Sequence, residues 1–195
     1  MHDIIDNTEK PLHLNLIDQL QKMDSITSQV WKANGRNGSK SPFTTTQYGL
    51  VLSYGVGRYC LANKWNGIKR GQMKMCYQNS TLLVVSDPNR FVYMEGYAIR
   101  PDLGIVVGDH AFVLDRERNY EVIDPTWRNT KGAAYFGIAF SFSFLIEQIT
   151  NSKYYGLLDA WWNQFPVLRL PPEEWLYRDF FKIPRDFVVG EIQRP

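Results

Sequence analysis

Cysteine and histidine are scarce in this chain, which has two cysteines, Cys60 and Cys76, and three histidines among 195 residues. Two cysteines sixteen apart make neither a disulfide framework nor a paired-cysteine zinc motif, so both thiols are expected to be free, in a reducing, cytoplasmic setting. A zinc site assembled from Cys76, His110 and Asp124 would find no second histidine outside the first thirteen residues. Neither a metal nor a cofactor is expected. Long apolar runs are missing too. The greasiest stretch, residues 133–146, is broken by Gly137, Ser141 and Ser143 and falls short of the roughly 18 to 20 residues a membrane span needs. The opening Met1-His2-Asp3-Ile4-Ile5-Asp6 has no basic and apolar regions of a secretory signal, so none is expected. Neither charge sign dominates: 22 basic and 20 acidic residues leave a net charge of +2. No field of one sign points to nucleic acid, and neither a nucleic-acid nor a membrane partner is expected.

What is present is an apolar content of 44 %, enough for one well-packed domain. Residues 12–33 carry Leu16, Leu20, Met23 and Val30 at near-helical spacing with polar residues between, which predicts an amphipathic helix packed on the core. The turn formers from Asn34 to Pro42 follow it. Residues 1–41 therefore read as a helical appendage and linker, and residues 42–195 as the catalytic domain. Residues 44–64 lean towards helix, interrupted by Gly55 and Gly57; Cys60 stands where a dinucleotide fingerprint needs its third glycine, so that motif is excluded. Residues 91–98, 105–114 and 120–124 are short, β-prone runs bounded by turn signals. They predict an antiparallel sheet, and with helices around it an α+β architecture. Residues 138–150 alternate and then turn helical, residues 154–163 read as a short aromatic helix, and Pro171-Pro172-Glu173-Glu174 reads as a helix start.

The chemistry concentrates in the sheet. His110 lies in one predicted strand and Asp124, fourteen residues on, closes the next. A hairpin loop centred on Glu117 would set the two directly opposite on one face, where a carboxylate can hold one imidazole nitrogen and leave the other as a base. Cys76 precedes His110 by thirty-four residues and opens a helical run, with Lys69, Arg70 and Lys74 upstream. A thiol at a helix N-terminus meets the positive end of the dipole, which favours the thiolate. Cys60, without a helix start, is the competing thiol. Gln72 and Asn79 are candidate oxyanion donors alongside the backbone N–H of Cys76 or Tyr77. Glu95, between Tyr93 and Tyr97, reads either as a supporting acid or as an edge-exposed residue. Trp127 reads as core packing or as part of the site's surround.

The order Cys, His, Asp, with Cys76 opening a helix, His110-Ala111 on a strand and Asp124-Pro125-Thr126-Trp127 closing the next, resembles the transglutaminase-like branch of the papain-like cysteine enzymes over roughly residues 65 to 140. The Arg-Gly-Gly-x-Cys signature of arylamine N-acetyltransferases is present only as Arg70-Gly71 and, later, Met75-Cys76, so that narrower assignment is set aside. Uncharacterised bacterial and phage proteins of the same fold are similar in having a strand like Tyr93-Met94-Glu95-Gly96-Tyr97-Ala98 and a segment like Tyr135-Phe136-Gly137. The resemblance implies a nucleophile helix packed on an antiparallel sheet and a Cys76-His110-Asp124 triad. The expected activity is thiol-dependent acyl transfer or hydrolysis on an amide or thioester, of a protein or a small molecule, as by a peptidase, deamidase or transglutaminase-like enzyme. The alternative is a catalytically silent module of this fold that binds a protein partner, as a phage-encoded inhibitor or effector would.

Overall fold

Residues 12–33 do form one helix, α1 (Leu12–Ala33), and it lays Leu16, Ile17, Leu20 and Trp31 into the core while Val30 stays exposed. Each fully buried leucine contributes about 1.5–3 kcal/mol relative to exposure. The computed structural model describes residues 11–35, 45–63, 65, 67–103, 106–158, 160 and 165–189, so most of the turn-rich stretch after α1 lies outside the described residues. Helix α2 (Gln47–Tyr54) begins at Thr46, whose hydroxyl accepts from the Gly49 amide at 3.0 Å. Such a cap satisfies one of the amides a helix start leaves unpaired.

The helix expected over residues 44–64 stops at Tyr54. Gly55 adopts an extended conformation, and the chain continues as strand β1 (Val56–Tyr59). The strand is fixed from both sides, by pairing with a later strand and by Asp186, which takes the Tyr59 amide at 2.7 Å and ion-pairs with Arg58 at 3.3 Å. Gly57 is required there, since a Cβ would collide with Phe187.

After α3 (Cys76–Ser86) come β2 (Phe91–Ile99), β3 (Val106–Asp115), β4 (Glu121–Ile123), β5 (Ala134–Phe140), α4 (Phe142–Ser152) and the single turn α5 (Pro172–Trp175). The five strands form one antiparallel sheet in the order β1-β5-β2-β3-β4. Every residue of β2 and β5 is buried, as expected for central strands covered on both faces. Helix α3 packs on β2 and β3, and α1 on β2 and β5. This is an α+β architecture with the core on both sides of the sheet. Among the described residues no helix is long and apolar enough to cross a membrane.

Two expectations for the second half are settled locally. Residues 138–150 split cleanly at Ser141, whose hydroxyl accepts from the Phe144 amide at 3.3 Å and so caps α4. Residues 154–158 are not helical, contrary to the aromatic-helix reading; the Leu157 and Leu158 amides instead donate to the Glu95 carboxylate. Residues 159 and 161–164, which include Trp161 and Trp162, lie outside the described residues.

Gly96 on β2 pairs with His110 on one side and with Gly137 on the other. A Cβ at Gly96 would run into the Phe136 carbonyl and the Gly137 backbone, and a Cβ at Gly137 into the Glu95 carbonyl. This glycine pair lets β2 and β5 approach closely beside the strand that carries His110. Gly96→Ala is therefore expected to destabilise the fold by about 1–3 kcal/mol, because backbone rather than a mobile side chain must yield. A urea melt reads the loss; an unchanged midpoint would contradict the close approach.

Candidate active site

The β3–β4 hairpin sets the site. Its last pair is Asp115↔Glu121, and the loop turns through a 3-10 turn over Arg116–Arg118, followed by Asn119 and Tyr120, both at positive φ. Asp115 holds the corner, taking Arg90 through two bonds of 3.0 and 2.7 Å and the Glu117 amide at 3.1 Å. With this loop Val113 faces Ile123, so Asp124, just past the end of β4, aligns with Phe112 and not with His110 as the Glu117-centred loop would have it. The displacement is two residues, and strand side chains alternate with period two. Asp124 thus stays on the face of His110, as a diagonal neighbour that a carboxylate can still bridge.

It does bridge. His110 Nε2 lies 2.8 Å from Asp124 Oδ2, with His110 3 % exposed and Asp124 fully buried. The same oxygen accepts from the Tyr135 hydroxyl at 2.8 Å, while Oδ1 accepts from the amides of Thr126 at 2.8 Å and Trp127 at 2.9 Å. Four donors satisfy the buried carboxylate, the condition under which a buried charge is tolerated. Burial pushes the Asp124 carboxyl up, but the His110 charge, its hydrogen bond and the two amides outweigh that and hold it below the ordinary value.

The imidazole is fixed on its other sides as well. Trp127 stacks on it at 4.0 Å between centroids and 26° between planes, and the Arg100 guanidinium lies 5.7 Å from the Trp127 ring. The Cys76 side chain lies near enough to the ring to act on its charge. Asp124 occupies Nε2, which leaves Nδ1 without a bond to that carboxylate. Burial alone would pull His110 towards its neutral form; Asp124, and after it Cys76, prevail and raise its pKa to about 9.

Cys76 is half-buried and is the first residue of α3. No side chain caps this helix, and Lys74, two residues before the thiol, is held at φ 66°. A left-handed lysine is costly and persists only where the surroundings impose it. Here Gly71 donates its amide to the Pro125 carbonyl at 2.7 Å, and Asn79 donates to the Gln72 carbonyl at 2.7 Å and to the Thr126 hydroxyl at 2.9 Å. The segment before the thiol is thereby tied to the same turn that carries Asp124.

These bonds revise the expected oxyanion donors. The Asn79 amide uses both its protons in holding that turn, and Gln72 has an exposed side chain and contributes its carbonyl. The Asn79 amide is thereby committed to structure. The backbone N–H groups at the start of α3 are the alternative, since the first amides of a helix have no intrahelical partner. Glu95 is not on an edge: β2 is central and the side chain is buried. It accepts from Tyr93 at 2.6 Å and from Leu157 and Leu158 at 2.8–2.9 Å. Its pKa is raised to about 7 by burial, against those hydrogen bonds. Its work is to pin residues 157–158 to the sheet. Cys60 is buried, its thiol donates to the Ala62 carbonyl at 3.0 Å, and burial raises its pKa to about 11. It is a structural thiol.

Tyr135 was not anticipated as a partner of Asp124. Its position on β5 gives no local signal, because two strands, β2 and β3, lie between β5 and β4. Among the described residues no group of three or more His, Cys, Asp or Glu is arranged to hold a metal ion. No protein-family profile, curated protein or solved structure matches the chain.

Chemically, a buried imidazole held by a carboxylate on one nitrogen, with a thiol close by, can hold the thiol's proton and hand it on. The same pairing links stability to pH. His110 has a folded pKa near 9 against an ordinary 6.5, so its contribution is complete below pH 6.5 and is lost as pH rises to about 9. Asp124, lowered, contributes above its ordinary value and loses that contribution as pH falls through its folded pKa. Wild type is therefore expected to lose stability between pH 6.5 and 9 in urea melts, and His110→Gln to show a flatter dependence. Parallel curves for the two proteins would contradict the pairing.

Proposed function

We propose that the protein is a thiol-dependent acyl transferase or hydrolase with a transglutaminase-like, papain-like fold, acting on an amide or thioester. The observation that carries this reading is one buried imidazole held by Asp124 at 2.8 Å, with Cys76, the first residue of a helix, near enough to act on its charge. Cys76 is the nucleophile, His110 the proton shuttle, and Asp124 the residue that orients His110 and stabilises its charged form. Tyr135 and Trp127 are positioning residues.

The sulfur attacks the acyl carbon with its proton already resting on His110, and the carbonyl oxygen becomes an oxyanion facing the amides at the start of α3. Collapse of this intermediate expels an amine or thiol, which leaves with the proton held by His110. A water or amine then attacks the acyl-enzyme, giving its proton to His110 and releasing Cys76. Every step uses groups of this chain and needs no metal or redox partner.

Cys76→Ala is expected to abolish turnover with the fold intact, and His110→Ala to reduce it almost as far. Asp124→Asn should lower it by a factor that depends on whether the amide still holds the useful tautomer, roughly 10⁴-fold where it does not. The test screens wild type and the three variants on acyl-amide, peptide and glutamine-containing substrates and thioesters, with circular dichroism as the check of folding. It is paired with iodoacetamide labelling across pH, in which wild type should show one fast cysteine, Cys76, slowed by His110→Ala. Slow, His110-independent labelling together with equal biological potency of folded Cys76→Ala would reject the enzyme and favour a module that binds a protein partner.

A further inference from the structure

Three separate segments meet around Cys76 and His110. Residues 67–75 lead into the nucleophile helix and are joined to residues 125–132 by the Gly71–Pro125 hydrogen bond. Residues 125–132 are in turn joined to the chain after β1, through Gly132 to the Cys60 carbonyl at 2.8 Å and the Lys131 amide to Asn63 at 2.6 Å. Residues 100–103 lean on the same rim, with Arg100 over Trp127 and Pro101 against Gly132.

Their charges are lopsided. The three segments hold Lys69, Arg70, Lys74, Arg100, Arg128 and Lys131 against one acid, Asp102, in a chain whose totals are 22 and 20. Asp102 ion-pairs with Arg100 and so offsets one of the six. The other five are exposed. Asp109, the nearest acid on the His110 strand, sits opposite Tyr97 of β2. An imbalance of this size over one small rim, in an otherwise balanced protein, creates a local positive potential at the mouth of the site.

We infer that the substrate taken at Cys76 carries a negative charge, a carboxylate or phosphate group held by this basic rim while its acyl carbon faces the sulfur. The inference names the substrate class of the site and rests on the reading of Cys76 as its nucleophile. Arginine gives a carboxylate or phosphate a two-pronged contact, and Arg70 and Arg128 are the residues of this rim that can supply it, since the Arg100 fork is taken by Asp102. Lys69, Lys74 and Lys131 add charge without direction. The exposed Met73, Met75 and Leu103 on the same segments offer apolar surface for the remainder of the substrate.

Thiol-specific methanethiosulfonates of different charge test this without knowledge of the natural substrate. In each case the Cys76 sulfur attacks the sulfenyl sulfur, forming a mixed disulfide and releasing methanesulfinate. Only the charge of the transferred group differs. Mass spectrometry separates Cys76 from Cys60. The ratio of the rate with the sulfonatoethyl reagent to that with the trimethylammonium-ethyl reagent, normalised to free cysteine, is expected to be about tenfold or more at low ionic strength. It should fall towards one in about 1 M salt, where screening is complete within a few ångströms.

The combined Lys69→Glu, Arg128→Glu, Lys131→Glu variant should invert the ratio while keeping the wild-type circular dichroism. Protection of Cys76 from the neutral methyl reagent distinguishes the two head groups: inorganic phosphate protecting better assigns a phosphate, succinate a carboxylate. A ratio near one at low salt, or protection by neither anion, overturns the inference. Failure of the enzyme reading looks different, because labelling would then be slow and independent of His110 whatever the reagent's charge.

Discussion

A single buried carboxylate organises this protein's candidate site. Asp124 collects donors from the imidazole of β3, the phenol of β5 and two amides of its own turn, so one ion joins three strands and the loop that follows them. A carboxylate taken out of water costs several kcal/mol unless it is fully bonded, and here each oxygen has two donors. Breaking any one contact leaves charge underserved and loosens the others. The turn it fixes is also the turn to which Asn79 and Gly71 attach the start of α3. The carboxylate therefore orients His110 directly and positions Cys76 at one remove.

Sheet geometry explains how much of this was legible in the sequence. Residue order and alternation were enough to place His110 and Asp124 on one face, because strand side chains repeat every two residues. The loop was not legible: with consecutive positive φ at Asn119 and Tyr120 it is centred on Arg118 rather than Glu117, and a tyrosine gives no warning of a left-handed backbone. The resulting shift happens to be even, so the pairing of His110 with Asp124 survived an incorrect register. An odd shift would have put the carboxylate on the opposite face. Likewise Cys76 was correctly read as opening a helix, although the helix has no side-chain cap and is held instead by bonds to distant segments.

Long-range partners were the illegible part. Asn79 lies near the thiol in sequence, yet its amide serves Thr126, forty-seven residues away. Glu95 alternates with tyrosines as an edge residue could, but its β2 strand is central and its carboxylate anchors amides sixty-two and sixty-three residues on. Tyr135 reaches Asp124 from β5, with two strands between it and β4, and the Gly96–Gly137 pair sets β5 close to β2. Those glycines sit in the two segments that carried the family resemblance. They are positions where a side chain would separate the strands.

The proposed binding rim and the candidate site share the same segments. Residues 67–75 bring basic charge and lead into Cys76; residues 125–132 bring basic charge and follow Asp124. A change that moves one therefore moves the other, and charge at the mouth of the site is tied to the geometry of the imidazole within it. The most direct measurement is a pH titration of the His110 ring nitrogens by two-bond ¹H–¹⁵N NMR, with His110→Gln to assign the signals. Protonation on both nitrogens persisting to a midpoint near pH 9 in wild type, and collapsing in Asp124→Asn, is the expected result. A midpoint at or below the ordinary 6.5, unaffected by Asp124→Asn, would contradict the pairing on which the site depends.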